Sequence, residues 1–258
     1  MTRYDVVIPA GGTIDTEYAK LIGTPCRALA PFGPARTPAL QLVVEALRAS
    51  GHVRRIVCVA PQQAADCVVG VDLWLPAAPH GTKNILRGLD ALDDLNAPAL
   101  VCTSDLPLID AADIAGFCAR CDPAADVTVG LVRADDYNKA FLGAPPSTFV
   151  QLRDVGPATL GGLFALRPSS VLDNHALFAR AFESRKSQWG MVQLLGPRLV
   201  GQFLTRRLTL AALTARAETL MHCRAQILLD IAPALACDMD TADDYTYAHQ
   251  NYTARVVS

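Results

Sequence analysis

Residues 4–13 read YDVVIPAGGT. The first part of this stretch is a short apolar run that ends at Pro9, a pattern typical of a buried parallel strand. Gly11 and Gly12 follow at once, and glycine lets backbone N–H groups approach phosphate oxygens closely. In open α/β sheets, ligands bind beyond the carboxyl ends of the strands. We therefore expect an α/β sheet with an anion site at its first turn, although a Gly-Gly pair alone is more often an ordinary turn. The candidate residues of this turn are Ala10, Gly11, Gly12 and Thr13.

The segment 1–133 alternates predicted strands and helices. An amphipathic helix follows the cap residue Thr37, with Pro38 at the first helical position and Gly51 as the C-terminal cap. A second helix begins at Thr82 and carries apolar residues at helical spacing. This alternation predicts a mostly parallel sheet with helices on both faces. The predicted strands are residues 4–9, 54–60, 99–103 and 126–132.

The rest of the chain is more varied. Strands are predicted at residues 148–153 and 160–166, and a largely helical stretch at 168–220 forms a predicted lobe that could cover a cleft. An apolar run at 234–240 then precedes a helix that starts at Thr241, with an acidic residue three positions on, as in a capping box. We predict a single domain over residues 1–258, in three segments: 1–133, 134–233 and 234–258.

Composition excludes several classes of protein. With 51% apolar and 19% charged residues, the 258-residue chain is globular and has a large core. A net charge of −2 and a pI near 6.2 make nucleic acid a poor partner. No segment reaches the roughly 18 apolar residues that a membrane helix needs, and the N-terminus lacks the layout of a signal peptide. We therefore expect a cytoplasmic protein without a membrane partner.

The cysteines indicate a reducing compartment. Eight are present, and several, such as Cys58 and Cys102, lie in apolar runs, which predicts buried thiols. One pair, Cys118 and Cys121, has a spacing that could suit zinc or redox chemistry. No second pair at zinc spacing follows, and two ligands do not make a closed zinc site. Two helix cysteines one turn apart are therefore the favoured interpretation.

Acidic residues stand at two places that matter for ligand binding. Asp105 directly follows the predicted strand at 99–103, so its carboxylate lies at the ligand-binding edge of the sheet. Asp238 and Asp240 precede the helix that starts at Thr241, and strand-like alternation would point both side chains the same way. The alternatives are a turn or helix-cap residue for Asp105 and an acidic helix start for the other pair.

Basic and polar side chains complete the set of candidates. Lys20 and Arg27 lie in the stretch after the glycines, and either could contact phosphates and stabilise charge on a leaving group. The segment HGTKN at residues 80–84 begins a helix and offers groups that could bind a phosphate or a nucleobase edge. Solvated surface residues are the alternative for Lys20 and for the histidine of this segment. The candidates in the segment are His80, Gly81 and Asn84.

The order of the motifs carries more information than any one of them. AGG at residues 10–12 is followed by RALAP at 27–31, NILRGL at 84–89, TSDLP at 103–107, GGLF at 161–164 and DMDTADD at 238–244. This order resembles that of the MobA-like NTP transferase family over nearly the whole chain. The resemblance implies a three-layer α/β/α fold of the glycosyltransferase-A type, a Rossmann-like, mostly parallel sheet as in nucleotide-diphospho-sugar transferases, here with an added helical lobe.

The resemblance also implies roles for the candidate residues. The segment 1–133 would bind the nucleotide, 134–233 the acceptor, and 234–258 would return a metal ligand. Arg27 stands where many relatives have a phosphate-contacting Lys, and Lys20 would share that work. The nucleotide would be held by Ala10, Gly11, Gly12, Thr13, His80, Gly81 and Asn84. Mg²⁺ would be held by Asp105 and Asp240, with Asp238 nearby. Catalysis would rest on Arg27, Lys20 and Asp105.

The implied activity is Mg²⁺-dependent transfer of a nucleotide from an NTP to a small phosphorylated acceptor, with release of pyrophosphate. A homo-oligomer is compatible with this activity. The first alternative is a glycosyltransferase that uses an NDP-sugar, but the SDLP ending at residues 104–107 lacks the expected Asp-x-Asp. The second is a non-catalytic nucleotide-binding or regulatory protein on the same fold. An NAD-binding Rossmann enzyme would need a three-glycine fingerprint that the chain lacks.

Overall fold

The computed structural model describes residues 2–184 and 196–257. Its strands are β1 (Tyr4–Pro9), β2 (Pro31–Phe32), β3 (Thr37–Pro38), β4 (Val53–Ala60), β5 (Leu73–Pro76), β6 (Ala99–Cys102), β7 (Val127–Arg133), β8 (Val150–Leu152), β9 (Gly156–Leu166) and β10 (Ala225–Leu229). The α-helices are α1 (Thr16–Ile22), α2 (Ala39–Ala49), α3 (Gln62–Cys67), α4 (Gly81–Asp90), α5 (Ala111–Arg120), α6 (Ala134–Ala140), α7 (Pro168–Asp173), α8 (His175–Ser184), α9 (Pro197–Leu204), α10 (Leu210–Met221) and α11 (Ala242–Val257). Short 3₁₀ helices lie at Arg27–Leu29 and Pro233–Ala236.

One mixed sheet organises this part of the chain. Across residues 2–184 and 196–257 it has eight strands, in the order β10-β7-β9-β6-β1-β4-β5, with β8 paired to β9. Strands β6, β1, β4 and β5 run parallel, as do β7 and β10. Strand β9 is antiparallel to its three partners, β6, β7 and β8. The prediction of a mostly parallel sheet is therefore confirmed.

Helices cover both faces of the sheet. Successive side chains of a strand point to opposite faces, and in β1 the neighbours Val7 and Ile8 enter different cores. Ile8 packs in the core that includes Leu40 of α2 and Ile114 of α5. Val7 packs in the core that includes Leu89 of α4. Two cores on opposite faces of one sheet make the three predicted layers.

The helical stretch predicted at 168–220 divides into two parts, and residues 185–195 within it lie outside the described residues. Helices α7 and α8 pack on α4 and thus belong to one of the layers. Helices α9 and α10 form a smaller cluster with β8, in which Leu199 and Leu208 pack around Leu152. In the part of the chain that the structure describes, no helix has the length and apolarity needed to cross a membrane.

Two local predictions are wrong. Thr37 and Pro38 form the short strand β3, and α2 begins one residue later than predicted, at Ala39. The strand-like alternation expected at Asp238 and Asp240 is not found, because the apolar run at 234–240 begins in a 3₁₀ helix opened by Pro233 and continues without strand structure. Apolar residues in that run are buried without pairing to the sheet, so apolarity alone did not distinguish a strand from a buried turn.

Candidate active site

The glycine turn after β1 is held closely by the elements around it. Ala10 is buried, and its N–H donates to the Val59 carbonyl of β4 over 2.8 Å. A Cβ atom at Gly11 would lie 2.4 Å from Asn84 Nδ2, and one at Gly12 would lie 3.3 Å from Arg27 Nη2. Glycine is therefore needed at position 11 because α4 approaches the backbone so closely.

The start of α4 lies beside this turn. Asn84 is only 1% exposed, and its Oδ1 accepts a hydrogen bond from the Ala78 N–H at 2.6 Å. Asn84 thus fixes the loop before α4 behind the glycine turn. His80 caps the helix without a side-chain hydrogen bond, and both it and Gly81 are exposed. These two residues remain predicted nucleotide contacts, whereas Asn84 is placed as a buried support for the turn.

Arg27 joins three distant parts of the sequence. It lies in the first 3₁₀ helix, and its Nη1 is 3.1 Å from Asp105 Oδ2. The same nitrogen pairs with Asp240 and donates to the Met239 carbonyl at 3.1 Å. Asp240 is 213 positions away in sequence. The structure thus brings the predicted residues Arg27, Asp105 and Asp240 together at the carboxyl edge of the sheet.

The two carboxylates of this cluster have different surroundings. The Asp105 side chain is 12% exposed, whereas that of Asp240 is 70% exposed. Asp105 Oδ1 is buried and has no hydrogen-bond partner among the residues that the structure describes. A buried carboxylate oxygen without a partner is costly unless a ligand satisfies it. Asp105 therefore has an unused coordination position at the centre of the cluster.

The charges of the cluster act on one another. Burial opposes the charged form of Arg27, but the charges of Asp105 and Asp240 outweigh it and raise the pKa of Arg27. Desolvation of its carboxylate by the surrounding protein, followed by the charges of Asp105 and Asp240, raises the pKa of Asp238 to about 7. Because Asp238 is exposed in the structure, solvent screens its charge and reduces the size of this shift. The cluster holds an excess of negative charge.

This cluster can be tested for its fit to Mg²⁺. In the described parts of the chain no group of three or more His, Cys, Asp or Glu side chains is arranged as a metal site. Mg²⁺, however, needs only one or two carboxylates from the protein when phosphates and waters supply the other ligands. Asp105 and Asp240 both contact Nη1 of Arg27, and Asp105 Oδ1 has no hydrogen-bond partner in the described residues, so it can accept a cation. The residues therefore fit a Mg²⁺ ion that is shared with a phosphate ligand.

Lys20 is placed apart from this cluster. The stretch after the glycines contains α1, which begins after the cap residue Asp15. Lys20 lies in the last turn of α1 and is exposed. Its side chain makes none of the hydrogen bonds or ion pairs found within 2–184 and 196–257. The structure does not bring Lys20 to the carboxylates, and its contact with a ligand remains a prediction.

A cavity of about 200 Å³ opens beside the glycine turn. Its lining includes Gly11 and Thr13 of the turn, together with Pro61 and Gln63. Pro61 and Gln63 follow the carboxyl end of β4, the strand next to β1. Neither these two residues nor α3 were predicted from the sequence, although their place just after a buried strand was a usable signal.

Comparisons with known proteins come from solved structures. Neither a protein-family model nor a curated protein sequence matches the chain. A hypothetical transferase from Thermus thermophilus is 26% identical, with a TM-score of 0.82 over 95% of this chain and 100% of that one. A nucleotidyl transferase from Methanothermobacter thermautotrophicus is 13% identical, with a TM-score of 0.57 over 99% and 100%. The 2-C-methyl-D-erythritol 4-phosphate cytidylyltransferase from Thermus thermophilus is 13% identical, with a TM-score of 0.53 over 97% and 99%.

The chain has the nucleotidyltransferase fold. The similarities extend over nearly the full length of each compared chain, so they include the carboxyl edge on which Arg27, Asp105 and Asp240 meet. Their low identity shows the fold and leaves the substrates of this chain open. In open α/β sheets, ligands bind beyond the carboxyl ends of the strands, and the glycine turn and Asp105 lie at that edge here.

Proposed function

We propose that this protein is a nucleotidyltransferase of the MobA-like NTP transferase type. It transfers a nucleotide from an NTP to a small phosphorylated acceptor and releases pyrophosphate. The observation that carries this proposal is the meeting of Arg27, Asp105 and Asp240 next to the glycine turn. A guanidinium and two carboxylates at an anion-binding turn supply what phosphate transfer needs, because both reactants are negatively charged.

The NTP binds along the carboxyl edge of the sheet. Backbone groups of Gly11 and Gly12 contact its phosphates, and the exposed start of α4, with His80 and Gly81, adds the partial positive charge of a helix N-terminus. The cavity between Thr13 and Gln63 accommodates the nucleobase. Asn84 keeps the turn in position from behind.

Asp105 and Asp240 hold Mg²⁺, with Asp238 adding negative charge beside them. When bound, the ion neutralises charge between the two reacting phosphates. Arg27 stabilises the charge that develops on the leaving pyrophosphate, because its guanidinium lies between the glycine turn and the carboxylates.

No general base is required of the protein. An oxygen of the acceptor phosphate forms a bond to the α-phosphorus, and the bond from that phosphorus to pyrophosphate breaks. A phosphate oxygen is already ionised at neutral pH, so it needs no deprotonation by a side chain. A phosphorylated acceptor is supported by the similar cytidylyltransferase, which by its name acts on a 4-phosphate compound.

The test measures pyrophosphate release from ATP, GTP, CTP and UTP with Mg²⁺ and a panel of sugar and polyol phosphates. We expect release with one NTP and one acceptor class, and a loss of about 100-fold or more in Asp105→Asn. Asp93→Asn is the matched control. Asp93 also forms an ion pair with an arginine, Arg55, but its side chain is 76% exposed. Binding of an NTP without pyrophosphate release from any pair would favour a non-catalytic nucleotide-binding protein.

A further inference from the structure

Arg27 pairs with one oxygen of each of the two carboxylates that would hold a metal ion. One nitrogen, Nη1, serves Asp105 Oδ2, Asp240 Oδ1 and the Met239 carbonyl. The other terminal nitrogen, Nη2, lies close to Gly12: a Cβ atom added at Gly12 would be 3.3 Å from it. The guanidinium therefore fills the space between the glycine turn and the two carboxylates.

A guanidinium and a divalent cation cannot both occupy this point. Ion-pair contacts with Arg27 engage one oxygen from each carboxylate, and the positive charges of Arg27 and a metal ion repel each other at such short range. Asp105 Oδ1 remains buried and unpaired within the described residues even with Arg27 in place. Arg27 thus satisfies the pair of carboxylates only in part.

We propose that Arg27 is a built-in counter-ion that a divalent cation must displace from Asp105 and Asp240, and that the displaced guanidinium then binds the triphosphate. This inference rests on the proposed function and adds a coupling between its two ligands. The cation alone binds weakly, because it competes with Arg27. The cation together with the NTP binds tightly, because the phosphates give the displaced guanidinium a new partner.

The surroundings of Arg27 permit this exchange. Its side chain is 20% exposed, and Asp240 is 70% exposed, so the pair opens toward solvent. Gly12 has no side chain to separate the guanidinium from ligands at the turn. The planar fork of arginine can hold two phosphate oxygens at once, which a point charge such as Lys cannot.

The test measures Mn²⁺ binding without nucleotide, by the electron paramagnetic resonance signal of free Mn²⁺. We expect Arg27→Met to bind Mn²⁺ at least about tenfold more tightly than the wild type, which corresponds to the loss of one competing charged hydrogen bond. Arg27→Lys keeps the charge but loses the fork, so its affinity is expected to lie between the two. This second variant keeps the test valid if Arg27→Met does not fold.

Controls separate displacement from a general change of charge. Arg36→Met also removes one arginine charge, but at a position near Tyr245 of α11. The Arg36 side chain makes no hydrogen bond or ion pair in the described part of the chain. We expect its Mn²⁺ affinity to stay within about twofold of the wild type, because screening weakens distant exposed charges. Asp105→Asn combined with Arg27→Met should abolish the tight binding.

Two results would overturn the exchange, and they differ in what they say of the proposed function. If Mn²⁺ binds wild type and Arg27→Met equally while Mn²⁺ with an NTP still binds tightly, Arg27 is not the competitor and the nucleotidyltransferase site stands. If no variant binds Mn²⁺ even with an NTP present, the metal site and the proposed function both fail.

Discussion

At the scale of single residues, the glycine turn is the most constrained part of the site. Gly11 leaves no room for a side chain, since a Cβ atom there would be 2.4 Å from Asn84 Nδ2 and 2.9 Å from Ala77 Cβ. Asn84 is buried and already hydrogen-bonded, so it cannot move aside easily. The position of the turn thus depends on packing behind it and not on its own hydrogen bonds alone.

Gly11→Ala is therefore expected to destabilise the protein by about 1–3 kcal/mol, the range for overpacked sites, and to weaken nucleotide binding. Thermal unfolding followed by circular dichroism measures the first effect. Gly116→Ala is the matched control, because nothing lies within 4 Å of its Cβ position in α5. It should leave stability unchanged or raise it slightly, since alanine favours helix. Equal stability in both variants would contradict the packing described here.

The candidate residues were predictable from the sequence, but their partnerships were not. A basic residue after the glycines and an acidic residue after a strand each follow from local pattern. The pairing of Arg27 with Asp240 spans 213 positions, and only the fold brings them together. Lys20 shows the limit of the same reasoning, because the cap residue Asp15 starts a helix that places Lys20 on an exposed surface.

At the scale of elements, Asp126 connects three of them at the start of β7. Its Oδ1 accepts from Arg167 Nε at 2.9 Å and from Ser170 at the start of α7 at 3.2 Å. Its Oδ2 accepts from the Arg224 N–H, just before β10, at 2.9 Å. Burial favours the neutral acid, but these hydrogen bonds outweigh it and lower the pKa of Asp126.

Asp126→Asn is expected to cost about 1 kcal/mol at pH 7, because the Asp126 side chain is 23% exposed and its ion pair is partly screened. A lowered pKa in the folded state gives stability that is present above the unfolded pKa, near 3.9, and is lost as pH falls through the folded value. The difference from wild type should therefore shrink below about pH 4. Urea unfolding at several pH values measures this difference in the free energy of unfolding between wild type and Asp126→Asn. Asp173→Asn, at an exposed position, is the control, and a pH-independent difference would contradict this role.

Elements with strong apolar patterns were predicted well. The buried strands β1, β4 and β6 were found within one residue of their ends, because they are continuous apolar runs beside turn residues. The edge strands β5 and β10 were missed, since each is short and only partly buried. Their assignment depends on a neighbouring strand that sequence pattern does not reveal.

At the scale of the whole molecule, β9 joins the predicted segments. It comes from the segment 134–233 and lies antiparallel between β6 and β7, which both come from the segment 1–133, so that one sheet carries strands from these two segments. Leu163 of β9 pairs with Cys102 of β6 and is fully buried in the larger core. We propose on this basis that the chain unfolds as one unit.

Leu163→Ala is expected to destabilise the protein by about 2–5 kcal/mol through loss of buried contacts and a residual cavity. This corresponds to a fall in Tm of roughly 5–15 °C for a chain of this length. Leu160→Ala in the same strand is the control, because Leu160 is 44% exposed and should change stability little. Scanning calorimetry should show one transition in both variants. Two separate transitions would contradict a single cooperative domain.

The binding of an NTP with Mg²⁺ at this site is tested most directly by thermal shift. The ligands are ATP, GTP, CTP and UTP, each with and without Mg²⁺, and the proteins are wild type and Asp105→Asn. A ligand at about 100 times its dissociation constant adds about 2.7 kcal/mol of stability, which raises the Tm of a chain this size by several degrees. We predict such a rise with at least one NTP, only when both Mg²⁺ and Asp105 are present. An absence of any rise with all four nucleotides would contradict the assignment of this site to NTP binding.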